Sequence, residues 1–496
     1  MTEDMRIKIG QRLVVGFDGL EVPPEYVELV KQYKVGNALL FRRNLKSYEQ
    51  LKALCASLRE LIVKETGIEP FIMIDEECGG VSRLAGIAAE TPCALGIGAT
   101  GDPENAYRIG KLIGQELRAV GINFNLAPVM DCLTNPASAL GNRAFSSQPE
   151  KVAEYGAAYM RGVQETGVFA CAKHFFGLGD SATDSHLGLP VLNKTADEIE
   201  RCELVSFRAA IDAGIKGVMS AHLVCPAFEP ERIPGTVSRK IMTGLLRDKL
   251  GFRGISLTDG MEMNAVMDLY GIEEGTRRAL AAGVDMALIC HSEEQATAAC
   301  EHIYKAIESG QMDRDEIEAR FAHIVEMKKS LPLPEGNRIE FGNAAQKALA
   351  ESIMRKAVRI AHAPQGQPLP RMDENTVFFG VPARAASFAS DEVPLDAAAV
   401  CAEAFHGKHI SLTDAVPAGT QTAVVFLNRH PDNDKAIQAA RRLAEAGVQA
   451  IAVNMNVLLY AEGLPESVWQ IAAWQYDEIA LNAVMDLLKR KQEENA

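Results

Sequence analysis

One recurring pair constrains this chain more than any single motif: a short apolar run followed by a stretch with helical spacing, repeated from residue 12 to about residue 330. The runs read RLVVGFDG, KVGNALLF, FIMIDEE, INFNLAPVMD, FACAKHF, GVMSAHLV, GISLTDG and VDMALIC. Strand, helix and next strand in that order make a parallel unit, and continuous apolar runs suit strands covered by helices. About eight such units fit a closed barrel better than an open sheet. Between two of them, DPENAYRIGKLIGQELRAVG offers Asp102 as N-cap and Pro103 at the first helical position, where no backbone N–H is needed. The expectation is a TIM-like (β/α)8 barrel over residues 1–335.

Polar residues stand at the carboxyl ends of these runs: Asp75, Asp131, Lys173 with His174, His222 and Asp259. In a barrel those ends converge on one face, where side chains from different strands surround a substrate. Taken singly, each also fits an ordinary strand boundary; five in succession argue for a shared site. The alternation breaks at KKSLPLPEGNRIEFGNAAQKA, residues 328–348, whose Pro, Gly and Asn read as a linker running into a new helix. Beyond it TVFFGV, TAVVFLN and VQAIAVNMN read as buried strands, with DKAIQAARRLAEAGV and EIALNAVMDLLKRKQ as helices. These predict a second, smaller α/β sandwich domain over residues 345–496.

The 496 residues carry a formal net charge of −15, and 47% hydrophobic with 24% charged residues is ordinary globular usage. Without clustered Lys and Arg there is no electrostatic draw toward phosphate backbones or anionic lipid, so neither nucleic acid nor membrane is expected as a partner. The opening MTEDMRIKIGQRL has no apolar signal core, and no stretch approaches the ~20 apolar residues of a membrane span. Ten scattered cysteines, mostly in apolar runs and with no CxxC pair, fit reduced thiols and a cytoplasmic location. GIGATG, residues 96–101, matches a dinucleotide fingerprint in letters, but no strand precedes it, and a helix starting at Asp102 leaves its glycines to a loop. His174 and His186 stand twelve positions apart, and no HExxH or H-x-H occurs, so neither a metal nor a cofactor is expected.

The chemistry concentrates in KHFFGLGDSATDSHLGLP, residues 173–190. Asp184 stands two residues before His186, close enough for a carboxylate to orient an imidazole and set its basicity. Asp259, in RGISLTDGMEM, ends a buried strand and is placed to meet an electrophile; it also fits the N-cap of the helical segment that follows. An Asp-His pair with a separate carboxylate makes an acid/base and nucleophile set.

These motifs in this order resemble glycoside hydrolase family 3, and within it the β-N-acetylglucosaminidase branch. KHFFGLGDSATDSH aligns with the branch's KHFPGHG and DSH elements, and LTDGMEM with its nucleophile turn. APVMD, LGNRAF and MSAHLVCPAFEPERIPGTVSRKI resemble further family segments. The resemblance implies Asp259 as nucleophile, His186 as general acid/base and Asp184 as its support. It implies sugar binding by Asp75, Arg83, Arg143, Lys173 and His174, with His222 as a further binding residue. The expected reaction is a retaining hydrolysis of terminal β-linked N-acetylglucosamine from cell-wall or chitin-type fragments, through a covalent glycosyl-Asp intermediate. A histidine acid/base is neutral when deprotonated, which leaves inorganic phosphate as a possible acceptor beside water, so a phosphorylase or β-glucosidase on the same site is the alternative. A non-catalytic sugar-binding barrel is a further one.

The chain departs from the family pattern at four places. In DEECGGVSR, Cys78 replaces the first glycine of D-x-E-G-G-R-V and Gly80 its arginine. In the opening loop Phe176 replaces a proline and Leu178 a histidine, so a loop less stiff at its start and one lost polar contact are expected.

Overall fold

The computed structural model describes residues 1–181, 188–332, 340–382 and 395–494. Eight short parallel strands close a barrel: β1 (Leu13–Gly16), β2 (Asn37–Leu40), β3 (Phe71–Ile74), β4 (Phe124–Asn125), β5 (Phe169–Phe175), β6 (Gly217–Ser220), β7 (Ile255–Gly260) and β8 (Met286–Ile289). Each strand pairs with its sequence neighbours, and β8 closes on β1 in the register Leu13 to Ala287. All eight apolar runs read from the sequence are these strands. Apart from Asp259 they are buried throughout, because helices cover one side and barrel-filling side chains the other.

Inside the barrel Phe71, Phe124 and Phe169, from three adjacent strands, pack with ring centroids 5.1–5.6 Å apart. Val14, Leu39, Met73, Leu257 and Met286 complete this interior. The helix Arg314–Lys329 closes one end, burying Ile324 in the same core.

Helix starts follow local chemistry. Asp102 caps the helix Pro103–Val120 by accepting from Glu104 N, with Pro103 in the first turn, and Gly121 ends it in the left-handed region. The glycines of GIGATG differ from expectation: Ala94–Ala99 is a short helix, not a loop. Gly98 is required there because a Cβ would lie 2.1 Å from the carbonyl oxygen of Phe145.

After the helix Ala344–Ala357, capped by Asn343, a six-stranded sheet forms from β9 (Arg359–His362), β10 (Thr376–Gly380), β11 (Lys408–His409), β12 (Thr422–Leu427), β13 (Gln449–Asn454) and β14 (Trp469–Ala472). Its spatial order is β9-β14-β13-β12-β10-β11, with only the β9–β14 pair antiparallel. This sheet-containing region docks on the barrel through buried polar and apolar contacts. Asn142 Nδ2 donates to Trp474 O at 2.8 Å, Gln475 Nε2 donates to Thr91 O at 3.2 Å, and Val457 packs with Leu133 and Ala144. Among the described residues no helix is long and apolar enough to cross a membrane.

Candidate active site

The carboxyl ends of the barrel strands carry a chain of paired charges. Asp75 follows β3 directly, and Lys173 within β5 donates from Nζ to its Oδ1 at 2.7 Å. The same ammonium lies 2.6 Å from Glu77 Oε1. Glu77 belongs to a small hairpin, Glu76–Cys78 with Val81–Ser82, that continues from β3. Arg143, in the short helical turn Gly141–Arg143, grips Glu77 with both arms, Nε at 2.8 Å and Nη2 at 2.7 Å.

Lys173, Glu77 and Arg143 are almost fully shielded from water, so their charges act at close range in a poor dielectric. Burial alone would push the Glu77 carboxyl up; Arg143 and Lys173 outweigh it and hold the group well below the usual carboxylate range. Burial likewise opposes the charged Lys173, yet Asp75 and Glu77 raise its pKa above the ordinary value. The Arg143 guanidinium is also raised, against burial, by Glu77 first and then by Asp75 and Asp259. Asp259 is therefore within the field of this network.

Asp259 is the one residue of β7 that is not fully buried. Its Oδ1 accepts from the N–H of Gly260 at 2.8 Å. The helix after it begins at Asn264 with Met263 at the cap position, so Asp259 does not serve as an N-cap. A register irregularity between β7 and β8, at Met286/Leu288, lies beside this strand end, a device that re-aims side chains.

His174 is held by Asp131, which lies beyond β4. Asp131 Oδ2 accepts from both the His174 backbone N and ring Nδ1, each at 2.8 Å. Its Oδ1 accepts from the N–H groups of Gly177 and Leu178 at 3.2 and 2.9 Å. With Nδ1–H committed to a buried carboxylate, the hydrogen-bond network assigns the free lone pair to Nε2, which lies 3.5 Å from Arg143 Nη2. Two residues to which the sequence reading gave no role in the site, Glu77 and Asp131, thus organise it. Asp131 was visible as a strand-end carboxylate; Glu77 was visible only as the acidic letter of D-x-E.

The other four expected site residues are either buried or lie outside the described residues. His222, expected to contact sugar, is fully buried: Nε2 lies 2.9 Å from Gly260 O and Nδ1 2.8 Å from Thr236 Oγ1. The carbonyl can only accept, so Nε2 carries the proton and the ring braces the residue next to Asp259. Arg83 is buried just past the hairpin, where its charge acts on Glu76. Asp184 and His186 lie outside the described residues. The stretch leading to them is anchored: Thr134 Oγ1 donates to Asp180 Oδ1 at 2.9 Å, and Lys194 bridges Asp180 at 2.8 Å and Glu203 at 2.5 Å.

The four departures also take definite places. Cys78 has φ of 115°, a left-handed conformation suited to the glycine it replaces. Gly80, in place of the arginine, forms the turn of the hairpin and offers no cation there. Phe176 does not leave the loop start loose: its ring is buried, set edge-on to Phe175 at 5.0 Å and to Phe228 at 5.9 Å. Leu178 is buried too, with its backbone bonded to Asp131 and Ser138. Among the described residues no three His, Cys, Asp or Glu side chains are grouped so as to hold a metal ion.

Comparison with known proteins agrees with this fold. A "Beta-hexosaminidase A" of Pseudoalteromonas piscicida is 32% identical over 337 residues, covering 63% of this chain and 56% of that protein. A "Beta-hexosaminidase" of Stenotrophomonas maltophilia is 35% identical over 287 residues, covering 57% of this chain and 84% of that protein. The solved structure of a family 3 β-N-acetylglucosaminidase from Paenibacillus sp. superposes with a TM-score of 0.91 at 30% identity, covering 99% of this chain and 97% of that one. The model of the glycosyl hydrolase family 3 N-terminal domain matches residues 4–327, about two thirds of the sequence, and the protein belongs to that family of glycoside hydrolases.

Proposed function

We propose that this glycoside hydrolase is a retaining exo-β-N-acetylglucosaminidase that takes terminal β-linked N-acetylglucosamine from cell-wall or chitin-type fragments. The observation that carries the reading is Asp259, partly exposed at the end of an otherwise buried strand, within the field of the Asp75–Lys173–Glu77–Arg143 network. The names of the relatives, hexosaminidases in each case, support the sugar class.

In this mechanism Asp259 attacks the anomeric carbon while His186, steadied by Asp184, protonates the departing oxygen. A covalent glycosyl-Asp259 ester forms; neutral His186 then takes a proton from water, which displaces Asp259 with net retention. An imidazole with a pKa near ~6.5 serves both steps near neutral pH. Asp75 and Lys173 hold sugar hydroxyls, Arg143 and His174 line the same wall, and Arg83, just past the hairpin, is a further sugar-binding cation. Glu77 and Asp131 act through these groups as positioning residues, and His222 does the same through Gly260. A cytoplasmic location fits the reading as a recycling step.

A panel of aryl glycosides assayed with and without inorganic phosphate tests sugar, reaction and acceptor together. The aryl N-acetylglucosaminide is the expected substrate, with free sugar as product at either phosphate level. Sugar 1-phosphate appearing only when phosphate is supplied would replace the hydrolase reading with a phosphorylase. Asp259→Ala should lower turnover by roughly 10³-fold or more with an unchanged melting temperature. Full activity in that variant would remove Asp259 from the chemistry and favour a binding role.

A further inference from the structure

The ion pair of Arg143 and Glu77 joins two excursions from the barrel, the turn Gly141–Arg143 and the hairpin of Glu76–Cys78 with Val81–Ser82. Both excursions rest on the same two residues of the sheet-containing region, Trp474 and Gln475, just past β14. Next to Arg143, the buried Asn142 donates from Nδ2 to Trp474 O at 2.8 Å. On the hairpin side, the N–H of Gly79 donates to Thr91 O at 3.2 Å, and that carbonyl also accepts from Gln475 Nε2 at 3.2 Å. Two residues further on, Cys93 donates its backbone N–H to Gln475 Oε1 and its thiol to Trp474 O at 3.5 Å. Cys93 is packed so closely on the hairpin that a Cβ at Gly79 would lie 2.5 Å from its own Cβ. Trp474 O thus takes one bond from each side of the ion pair.

These two residues are themselves held on every side. Trp474 has φ of 72°, a left-handed conformation that is costly for a bulky residue and persists only where surrounding contacts impose it. Here its indole Nε1 donates to Ala357 O at 2.8 Å, and the Arg359 guanidinium sits 5.2 Å from the ring centre. The Gln475 amide has a second partner for Nε2 in Asp477 Oδ2, at 2.5 Å. Asp477 in turn accepts from Ala480 N at 3.0 Å, in the first turn of the helix Glu478–Glu494.

We propose that Trp474 and Gln475, with Asn142, are positioning residues of the enzyme: they fix the spacing of Arg143 and Glu77, so that the sheet-containing region sets the sugar-binding wall from behind. The proposal rests on the reading of Arg143 as a sugar-binding residue. A two-armed grip of guanidinium on carboxylate holds only while both groups keep their relative position, because the fork is planar and rigid. The turn and the hairpin are separate pieces of backbone, and the strained Trp474 carbonyl is where their supports meet. If either support is released, the fork loses its register on Glu77. Lys173, which shares that carboxylate, then shifts with it.

A double-mutant cycle in the full-length protein tests this. Asn142→Ala releases the turn, and Gln475→Met releases the hairpin support with little change of volume. Each should lower kcat/KM on the aryl N-acetylglucosaminide roughly tenfold, chiefly through a raised KM, as expected for a binding group displaced by a fraction of an ångström. In an Arg143→Ala background neither should lower it further, because the group they position is gone. The two variants lie on opposite sides of the junction, so either carries the test if the other does not fold. A lowered melting temperature with unchanged KM, or losses that add in full to that of Arg143→Ala, would overturn the proposal while leaving Arg143 its role. Normal kcat/KM in Arg143→Ala alone would overturn the sugar-binding reading of Arg143, and the proposal with it.

Discussion

The two ends of the barrel bury charge in opposite ways. At the closed end Arg12 is fully buried and spends its donors on three backbone carbonyls, those of Leu280, Val284 and Asp285. Lys328 similarly bonds to Gly36 O and the Gln11 side chain, and its ammonium lies 5.2 Å from the centre of the Phe71 ring. These cations are held mainly by dipoles, and burial lowers the Arg12 pKa to about 10 and that of Lys328 well below normal. At the open end Lys173 and Arg143 are raised instead, because Asp75 and Glu77 face them directly. Neutral dipoles give stability with nothing left over; dense opposite charges hold their protonation states firmly and leave Asp75 and Asp259 partly exposed for a substrate.

Breaking the open-end network should cost most. Glu77→Gln leaves Lys173 and Arg143 short of a buried counter-charge, and we expect a loss of about 3–5 kcal/mol in unfolding free energy. In the same variant kcat/KM on the aryl glycoside should fall roughly 10²-fold or more, measured alongside a denaturant titration. Retained activity in a destabilised Glu77→Gln would reduce that residue to a structural one. At the closed end Arg12→Met should cost about 2–4 kcal/mol through the orphaned carbonyls, with kcat and KM of the folded fraction unchanged. A change in KM there would erase the contrast between the two ends.

A third test concerns carboxyls whose burial outweighs the cations near them. Burial raises Glu76 to about 7 and Glu116 to about 8, the latter accepting from Ala89 N and Gly342 N where the chain enters its second region. Burial also raises Asp477 to about 7 near the same junction. Each folded pKa lies above its unfolded value, so between pH ~4.5 and ~8 the native state binds more protons than the unfolded one. Stability should therefore decline as pH rises through this window and level off above it. Glu116→Gln should flatten that decline in thermal melts, and an unchanged slope would remove Glu116 as a contributor. The smallest effect is expected at Cys78→Gly: relief of a strained left-handed φ should add about 1 kcal/mol while the lost side chain subtracts part of it. A net destabilisation would show that Cys78 packing outweighs its backbone strain.

Legibility differed between fold and site. The eight barrel strands were readable because each is an apolar run long enough to stand out against its amphipathic helix, and the Asp102–Pro103 helix start is a purely local signal. GIGATG was misread because Gly98 sits in a helix where the backbone carbonyl of Phe145 passes too close for a side chain, which is tertiary information. His222 was legible as a strand-end histidine but not as a brace, since its partners Thr236 and Gly260 gain meaning only once β6 and β7 lie side by side. Phe176 reads as a lost proline in the sequence and as a buried ring in the structure.

The sequence by itself determined the periodicity of strand and helix, the strand ends at which polar residues stand, and the motifs that mark the family. It could do so because these depend on neighbours a few positions apart. Only the tertiary structure decided which of those residues touch. Lys173 reaches Asp75 across 98 positions, Arg143 reaches Glu77 across 66, and His174 reaches Asp131 across 43. Closure of the barrel brings these groups within hydrogen-bond distance while shutting out water, and that exclusion makes each pairing strong enough to set charge and orientation at the site.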